Sequence, residues 1–218
     1  MKRSADLPLD RLRELAQNNP SDPIRFYRWP ILGRLYHRRV EMCLSECRGG
    51  QRVLEVGFGI GLTFPHLATR YQQVCGIDLD ADVERVGAQF REWGIETDLR
   101  NGSVLEMPYA SDMFDTVLLI SILEHLQPAE QEPAMREIRR VLKPGGQVVY
   151  GVPVERPAMV LMFRLMGVNI RKLHFSTERD VSSTADRLLE RAVLRDMRTP
   201  IPFLGAVYQV GHYLKPTV

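Results

Sequence analysis

The sequence predicts an α/β fold with a seven-stranded, mostly parallel sheet, helices on both faces and an antiparallel hairpin at the C-terminal end. Short apolar runs alternate with amphipathic stretches over residues 52–152, which is typical of β-α units. Residues 116–120 are apolar without alternation, as expected of a central strand covered on both faces. Two strand-like runs near the C-terminal end flank a segment rich in proline and glycine, which favours a closing hairpin.

The predicted strands are seven short runs. They cover residues 52–56, 73–77, 97–101, 114–120, 147–152, 193–198 and 206–214. The turn between the last two contains Pro200, Pro202 and Gly205. Because these residue types favour turns, we expect the last two strands to pair antiparallel.

Helices are predicted between the strands. Thr63 is placed to cap a helix with Pro65 in its first turn, and Asp82 to begin one that runs to Trp93. Further helices are expected over 24–47, bent near Pro30, and over 130–142 and 184–191. The chain of 218 residues, 44% hydrophobic and 26% charged, suits one domain with a full core.

Composition excludes several functional classes. The formal net charge of +2 gives no argument for nucleic-acid binding. Cys43, Cys47 and Cys75 lack metal-ligand spacing, and no cluster of histidines and carboxylates stands at such spacing, so we expect no metal. Free thiols and the absence of a signal-like apolar stretch after the first residues favour a cytoplasmic protein. The most apolar stretch, 158–168, is too short to span a bilayer.

A glycine-rich loop is the most informative segment. Gly57, Gly59 and Gly61 follow the first strand and precede a helix, where open α/β sheets bind nucleotide-like ligands. Asp78 ends the second strand, 21 positions after Gly57 (78 − 57), where a carboxylate can accept hydrogen bonds from ribose hydroxyls. We expect these residues to meet at one ligand site.

The identity of the ligand follows from the details of this loop. A dinucleotide site calls for a glycine where Leu62 stands, and no Lys-Ser/Thr pair follows, so a phosphate-binding P-loop is excluded. Glu55 would repel a pyrophosphate, but it suits an ammonium or sulfonium group. These features point to S-adenosylmethionine (SAM).

The ordered motifs resemble those of class I SAM-dependent methyltransferases, in the group that includes ubiquinone/menaquinone-biosynthesis and small-molecule methyltransferases. The resemblance covers residues 50–152. Residues 53–61 match motif I, 76–80 match motif II, 114–115 begin the next block, and the Leu-Lys-Pro-Gly-Gly segment at 142–146 matches the late motif. It implies a Rossmann-like fold that binds SAM.

The resemblance also implies residue roles and a division of the chain. Residues 1–48 form a helical cap, 50–152 the SAM-binding core, 153–182 a lid over the acceptor site, and 183–218 the terminal helix and hairpin. The implied cofactor contacts are Glu55, Gly57, Gly59, Gly61, Asp78, Leu79, Ser103, Val104 and Ile120. Many relatives place an acidic residue within the segment that corresponds to 101–104. Ser103 can accept a hydrogen bond from adenine there, but a neutral one, worth about 1 kcal/mol.

Two histidines are candidate catalytic bases. His125 follows the fourth strand, at the ligand-binding end of the sheet, and His174 lies in the 153–182 connection. Each has a structural alternative, since His125 is placed to support its loop and His174 to anchor the lid. No metal being expected, the predicted reaction is metal-independent in-line attack by a nitrogen or oxygen nucleophile.

Two segments combining apolar and basic residues, within 25–39 and 159–172, predict the acceptor. In relatives these regions surround the acceptor, which suggests a small-molecule or lipid-like acceptor, possible contact with a membrane surface, and no nucleic acid. A core-facing helix with a solvated basic face is the alternative. Two other functions stay open: a non-catalytic SAM-binding or partner-binding module, and a nicotinamide-dependent oxidoreductase.

Overall fold

The computed structural model describes residues 7–12, 15, 27, 29, 32–154, 156, 174–199 and 205–217. In these ranges five helices of four or more residues are assigned: α1 (Leu32–Glu46), α2 (Phe64–Leu67), α3 (Val83–Glu92), α4 (Gln131–Val141) and α5 (Glu178–Leu188). The strands are β1 (Gly50–Val56), β2 (Tyr71–Asp78), β3 (Thr97–Asn101), β4 (Phe114–Ile120), β5 (Leu142–Pro153), β6 (Glu190–Arg198) and β7 (Ala206–Leu214).

All seven strands belong to one sheet, in the order β3-β2-β1-β4-β5-β7-β6. Strands β1 to β5 pair in parallel, and β7 pairs antiparallel with both β5 and β6. The predicted fold class, including the C-terminal hairpin, is therefore confirmed.

The sheet is covered on both faces because successive strand residues point to opposite sides. Val53 of β1 and Leu118 of β4 belong to an apolar cluster shared with α1, α2 and α3. Their neighbours Leu54 and Val117 belong to a second cluster, shared with α4 and α5. The continuous apolar run in β4 reflects this double burial.

The helix predicted over 184–191 was placed too late in the chain. It spans Glu178–Leu188, because Thr177 and Asp180 form a capping box in which each side chain accepts a hydrogen bond from the other's backbone N–H. Strand β6 follows at Glu190. The first turns of this helix lie in the segment predicted to be the lid.

Other boundaries also differ. Strand β5 begins at Leu142 rather than at residue 147, because Leu142 pairs with Phe114. Thr63 occupies the N-cap position of α2, but its side chain makes no capping bond and donates to Glu55 instead. Pro30, Pro200 and Pro202 and the apolar-basic segment 159–172 lie outside the described residues. Among the residues that are described, no helix is long and apolar enough to cross a membrane.

Candidate active site

The site lies where the strand order reverses. β2 and β4 flank β1 on opposite sides, and at such a switch point open α/β sheets have their ligand crevice, at the carboxyl ends of the strands. The Gly57 N–H donates to the Ile77 carbonyl at 2.7 Å, which holds the start of the glycine loop against the end of β2. Ligands of open α/β sheets bind at this position.

The glycine loop needs its glycines for two reasons. Gly57, Gly59 and Gly61 have φ angles of +73°, +54° and +73°, in the left-handed region that side chains disfavour. A Cβ on Gly57 would lie 2.0 Å from Cδ1 of Ile122. Ile122 follows β4, so this contact packs the loop after β4 directly onto the glycine loop.

Asp78 is fixed in place beside the glycine loop. Its Oδ2 accepts a hydrogen bond from the Gly59 N–H at 2.9 Å, and its Oδ1 accepts from the N–H groups of Asp80 and Ala81 at 3.0 Å each. Three backbone donors therefore orient one carboxylate. Asp78 and the glycine loop meet as the sequence predicted.

Glu55 places a second carboxylate under the same loop. The side chain is buried and accepts a hydrogen bond from Oγ1 of Thr63. Burial raises the pKa of Glu55 to about 8. The hydrogen bond from Thr63 lowers the pKa and offsets only part of this rise, and the nearby Asp78 carboxylate adds to it. A cation bound next to Glu55 would favour its charged form.

The residues predicted to contact adenine follow the ends of β2 and β3. Leu79 follows Asp78 and is 69% exposed, which is high for a large apolar side chain. The Gly102 N–H donates to the Asp78 carbonyl at 2.9 Å and thereby holds the next segment beside it. In that segment Val104 is buried, and the Ser103 hydroxyl accepts a hydrogen bond from the Leu105 N–H at 3.2 Å.

The end of β4 carries a polar network that the sequence did not reveal. Ile120 is half-buried, and Ser121 has a φ of +59° although it is not a glycine. The Ser121 hydroxyl is hydrogen-bonded to the Tyr208 hydroxyl at 3.1 Å and accepts from Nη1 of Arg39 at 3.3 Å. These residues come from α1, the position directly after β4, and β7, so no local sequence pattern could have grouped them.

Arg39 presents a cation at this end of the sheet. Its guanidinium carbon lies 4.0 Å from the centroid of the Tyr36 ring and 5.9 Å from that of Tyr27. Both distances are within the range of cation–π interaction. The sequence placed Arg39 in an apolar-basic segment without indicating that it reaches the strand ends.

The two candidate bases are brought together. The rings of His125 and His174 lie edge to face with centroids 5.2 Å apart. The N–H groups of Phe175 and Ser176 both donate to the Glu124 carbonyl, at 2.8 and 3.2 Å. Residues 175–176, which directly follow His174, are thus fixed to the loop after β4.

Comparisons with known proteins agree with this geometry. Residues 54–150 match the family described as a methyltransferase domain. This match agrees with the resemblance to class I SAM-dependent methyltransferases that the sequence motifs show. The match covers β1 to β5 and therefore includes the glycine loop, Asp78 and the loop after β4. The match is consistent with SAM, the cofactor that the sequence predicts.

The curated relatives are matched over part of their length. An ajmaline N-methyltransferase from Rauvolfia serpentina is 35% identical over 105 residues, which cover 45% of this chain and 35% of that protein. A ubiquinone biosynthesis O-methyltransferase from Alkalilimnicola ehrlichii is 32% identical over 130 residues, covering 57% of this chain and 51% of that protein. The matched part of this chain thus spans about half or less of the length of either relative.

One solved structure matches almost the whole chain. The N-methyltransferase NodS from Bradyrhizobium japonicum, in complex with S-adenosylhomocysteine, has a TM-score of 0.68 and 18% identity. The match covers 95% of this chain and 97% of that one. At this identity the likeness shows the fold.

Proposed function

We propose that the chain transfers a methyl group from SAM to a nitrogen or oxygen atom of a small-molecule or lipid-like acceptor, without a metal ion taking part in the transfer. The observation that carries this proposal is the pair of carboxylates at the glycine loop. Asp78 hydrogen-bonds the loop backbone, and Glu55 is buried beneath it. This pair suits a ligand with both a ribose and a cationic group.

The electrostatics of the pair favour SAM over a dinucleotide. The discrimination comes from Glu55, because the ammonium and sulfonium groups of SAM would stabilise its ionised form, whereas a pyrophosphate would be repelled by it. Leu62 further counts against a nicotinamide cofactor, because a dinucleotide-binding loop has a glycine at that position.

The proposed cofactor contacts follow the crevice from β1 to β4. Asp78 accepts hydrogen bonds from the ribose, Leu79 and Val104 pack on adenine, and Ser103 offers adenine a neutral hydrogen bond. Glu55 and the loop backbone bind the methionine end, and the backbone at Ile120 faces the sulfonium. The residues concerned are Glu55, Gly57, Gly59, Gly61, Asp78, Leu79, Ser103, Val104 and Ile120.

The chemistry requires little beyond alignment. When bound, SAM supplies a methyl group on a positively charged sulfur, which an acceptor atom attacks in line. The residues of the chain orient the acceptor, exclude water and accept a proton where one must leave. His125 and His174 are the proposed proton acceptors. A hydroxyl acceptor needs such a base, whereas an amine acceptor needs only to be neutral.

The surroundings of the strand ends support the proposed acceptor class. Arg39, placed against Tyr36 and hydrogen-bonded to Ser121, offers a cation and an aromatic surface to an acceptor with an anionic or polar group. The two relatives named above are an ajmaline and a ubiquinone-biosynthesis methyltransferase, which supports a small organic acceptor. Contact with a membrane surface and a cytoplasmic location stay predictions.

Calorimetric titration tests the cofactor. S-adenosylhomocysteine and NADH are titrated separately into the wild-type chain, the Asp78→Ala variant and a control, Asp196→Ala, in which an exposed carboxylate of β6 is removed. We expect S-adenosylhomocysteine to bind the wild type and the control with equal affinity, and to bind Asp78→Ala at least about tenfold more weakly. NADH is expected to bind none of the three chains. Binding of NADH alone would contradict the proposal.

Turnover separates an enzyme from a non-catalytic binding module. The wild-type chain is incubated with SAM and a small-molecule extract of cells, and the formation of S-adenosylhomocysteine is measured. We expect formation that depends on both the extract and the chain. Binding of S-adenosylhomocysteine with no turnover across extracts would favour the binding module.

A further inference from the structure

A cluster of three possible metal ligands lies beside the proposed methyl-transfer site. Glu124, His125 and His174 each offer one ligand atom, and no two of these atoms are more than 4.8 Å apart. Glu124 is buried, His174 half-buried and His125 exposed, so the cluster is open to solvent on one side. No local sequence motif indicates this cluster, because His174 stands 49 positions after His125 (174 − 125).

Backbone contacts fix the positions from which these side chains extend. Glu124 and His125 lie in one short 3-10 helix, Leu123–His125, whose Leu123 carbonyl accepts a hydrogen bond from Nε2 of Gln131 at 2.6 Å. Ser176 is bonded to the same loop, since its hydroxyl donates to the Leu126 carbonyl at 2.7 Å. The two halves of the cluster are therefore joined without a metal.

The same anchoring involves one ligand residue directly. The Glu124 carbonyl accepts from the N–H groups of Phe175 and Ser176, the two residues that follow His174. Because Glu124 holds the backbone next to His174, the backbone positions from which both side chains extend stay close while these bonds persist. Such a frame limits the ordering that a bound ion would have to impose.

The ligand set is of a known chemical kind. Two imidazole nitrogens and one carboxylate oxygen bind zinc in open sites, in which a fourth position is left for water or substrate. With bonds of about 2.0–2.2 Å, tetrahedral ligand atoms are about 3.4 Å apart, so inward movements of about 1 Å would complete the geometry. We propose that Glu124, His125 and His174 form a binding site for a divalent first-row transition metal ion such as Zn²⁺.

Metal binding has a consequence for catalysis that rests on the proposed function. A metal ion takes the lone pair of an imidazole nitrogen, and a proton acceptor needs that same lone pair. A histidine whose ligand nitrogen is occupied by the ion cannot accept a proton from the acceptor through that nitrogen. The metal would therefore act as a reversible inhibitor of methyl transfer, a reaction that itself needs no metal.

The test measures metal binding directly, on the full chain and without an acceptor. Co²⁺ is titrated and followed by its visible absorption, and Zn²⁺ is titrated by calorimetry. The variants are His125→Ala and His174→Ala, with His37→Ala as the control because His37 is a half-buried imidazole on α1. We expect wild type and control to bind one equivalent, with Co²⁺ absorption typical of nitrogen and oxygen ligands, and each cluster variant to bind more than about tenfold more weakly.

The folding of each variant is checked by its affinity for S-adenosylhomocysteine, which also keeps this test separate from that of the cofactor site. Equal Co²⁺ binding by all four chains, or none by the wild type, would overturn the metal site. The Glu124→Gln variant tests the third proposed ligand, the carboxylate. If this buried substitution prevents folding, the two histidine variants decide the outcome.

Acylation of histidines by diethyl pyrocarbonate, followed by mass spectrometry, tests whether the metal occupies the imidazole lone pairs and so inhibits proton transfer. We expect Zn²⁺ to slow the acylation of His125 and His174 and to leave His37 unchanged, because the reagent needs the lone pair that the metal occupies. Equal acylation of His125 and His174 with and without Zn²⁺ would overturn the competition between metal and proton.

Discussion

Replacement of Glu55 by glutamine is expected to stabilise the ligand-free chain and to weaken its binding of the cofactor. Glu55 is buried, and its pKa rises from an ordinary value of 4.5 to about 8. A carboxyl whose pKa is higher in the folded state opposes folding once the unfolded chain ionises. This cost appears above pH 4.5, grows up to about pH 8 and is constant beyond it.

The size of the effect follows from the difference in pKa. One pKa unit corresponds to about 1.4 kcal/mol, so at pH 7 the 2.5 units above 4.5 cost about 3.4 kcal/mol. Glutamine is never charged, and its side-chain oxygen can still accept the Thr63 hydrogen bond. We expect Glu55→Gln to raise the free energy of unfolding by up to about 3 kcal/mol near neutral pH, and Tm by roughly 6–12 °C.

Urea unfolding of the ligand-free chain at about pH 5.5 and 7.5 provides the assay. The advantage of Glu55→Gln over wild type should grow by about 2–3 kcal/mol between these two pH values. Glu96→Gln, which changes an exposed carboxylate, is the control and should stay within about 0.5 kcal/mol of wild type. An equal free-energy difference at both pH values would refute the reasoning, because it would mean that Glu55 is already ionised in the folded chain.

The protonation of Glu55 should also appear as a release of protons when the cofactor binds. A cationic group next to Glu55 favours its ionised form, so S-adenosylhomocysteine binding at pH 7 should release up to about 0.9 proton from Glu55. Calorimetry in buffers of different ionisation enthalpy measures this release, and Glu55→Gln corrects for protons from the ligand. Equal proton release by wild type and variant would show that the ligand does not reach Glu55.

Two further substitutions test the rim and the glycine loop. Ser103→Asp should bind S-adenosylhomocysteine about fivefold more tightly, because a charged acceptor gains roughly 1 kcal/mol over a neutral one at the adenine amino group; unchanged affinity in calorimetry would mean that adenine lies elsewhere. Gly57→Ala should unfold at a lower temperature than Gly94→Ala and bind the ligand more weakly. Both positions have a φ near +73°, but a Cβ meets Ile122 only at Gly57, and at Gly94 it meets nothing within 4 Å. Equal Tm values for the two variants would count against a role for the Ile122 contact.

The sequence predicted the part of the site in which residues are close along the chain. The glycine loop and Asp78 are separated by one β-α unit, and the geometry of that unit is largely fixed by its strand, turn and helix signals. Helix and strand boundaries were less accurate. The start of α5 was missed because the capping box of Thr177 and Asp180 lies within a segment interpreted as connection.

The sequence by itself determined the α/β class, the sheet with its closing hairpin, and the pairing of glycine loop and acidic residue that defines a SAM-binding domain. These features depend on local periodicity and on short-range spacing. Only the tertiary structure decided that Arg39, Ser121 and Tyr208 meet at the end of β4 and that His174 reaches Glu124 and His125. Contacts between residues far apart in the chain depend on how the helices and strands pack, and no local pattern in the sequence records that packing.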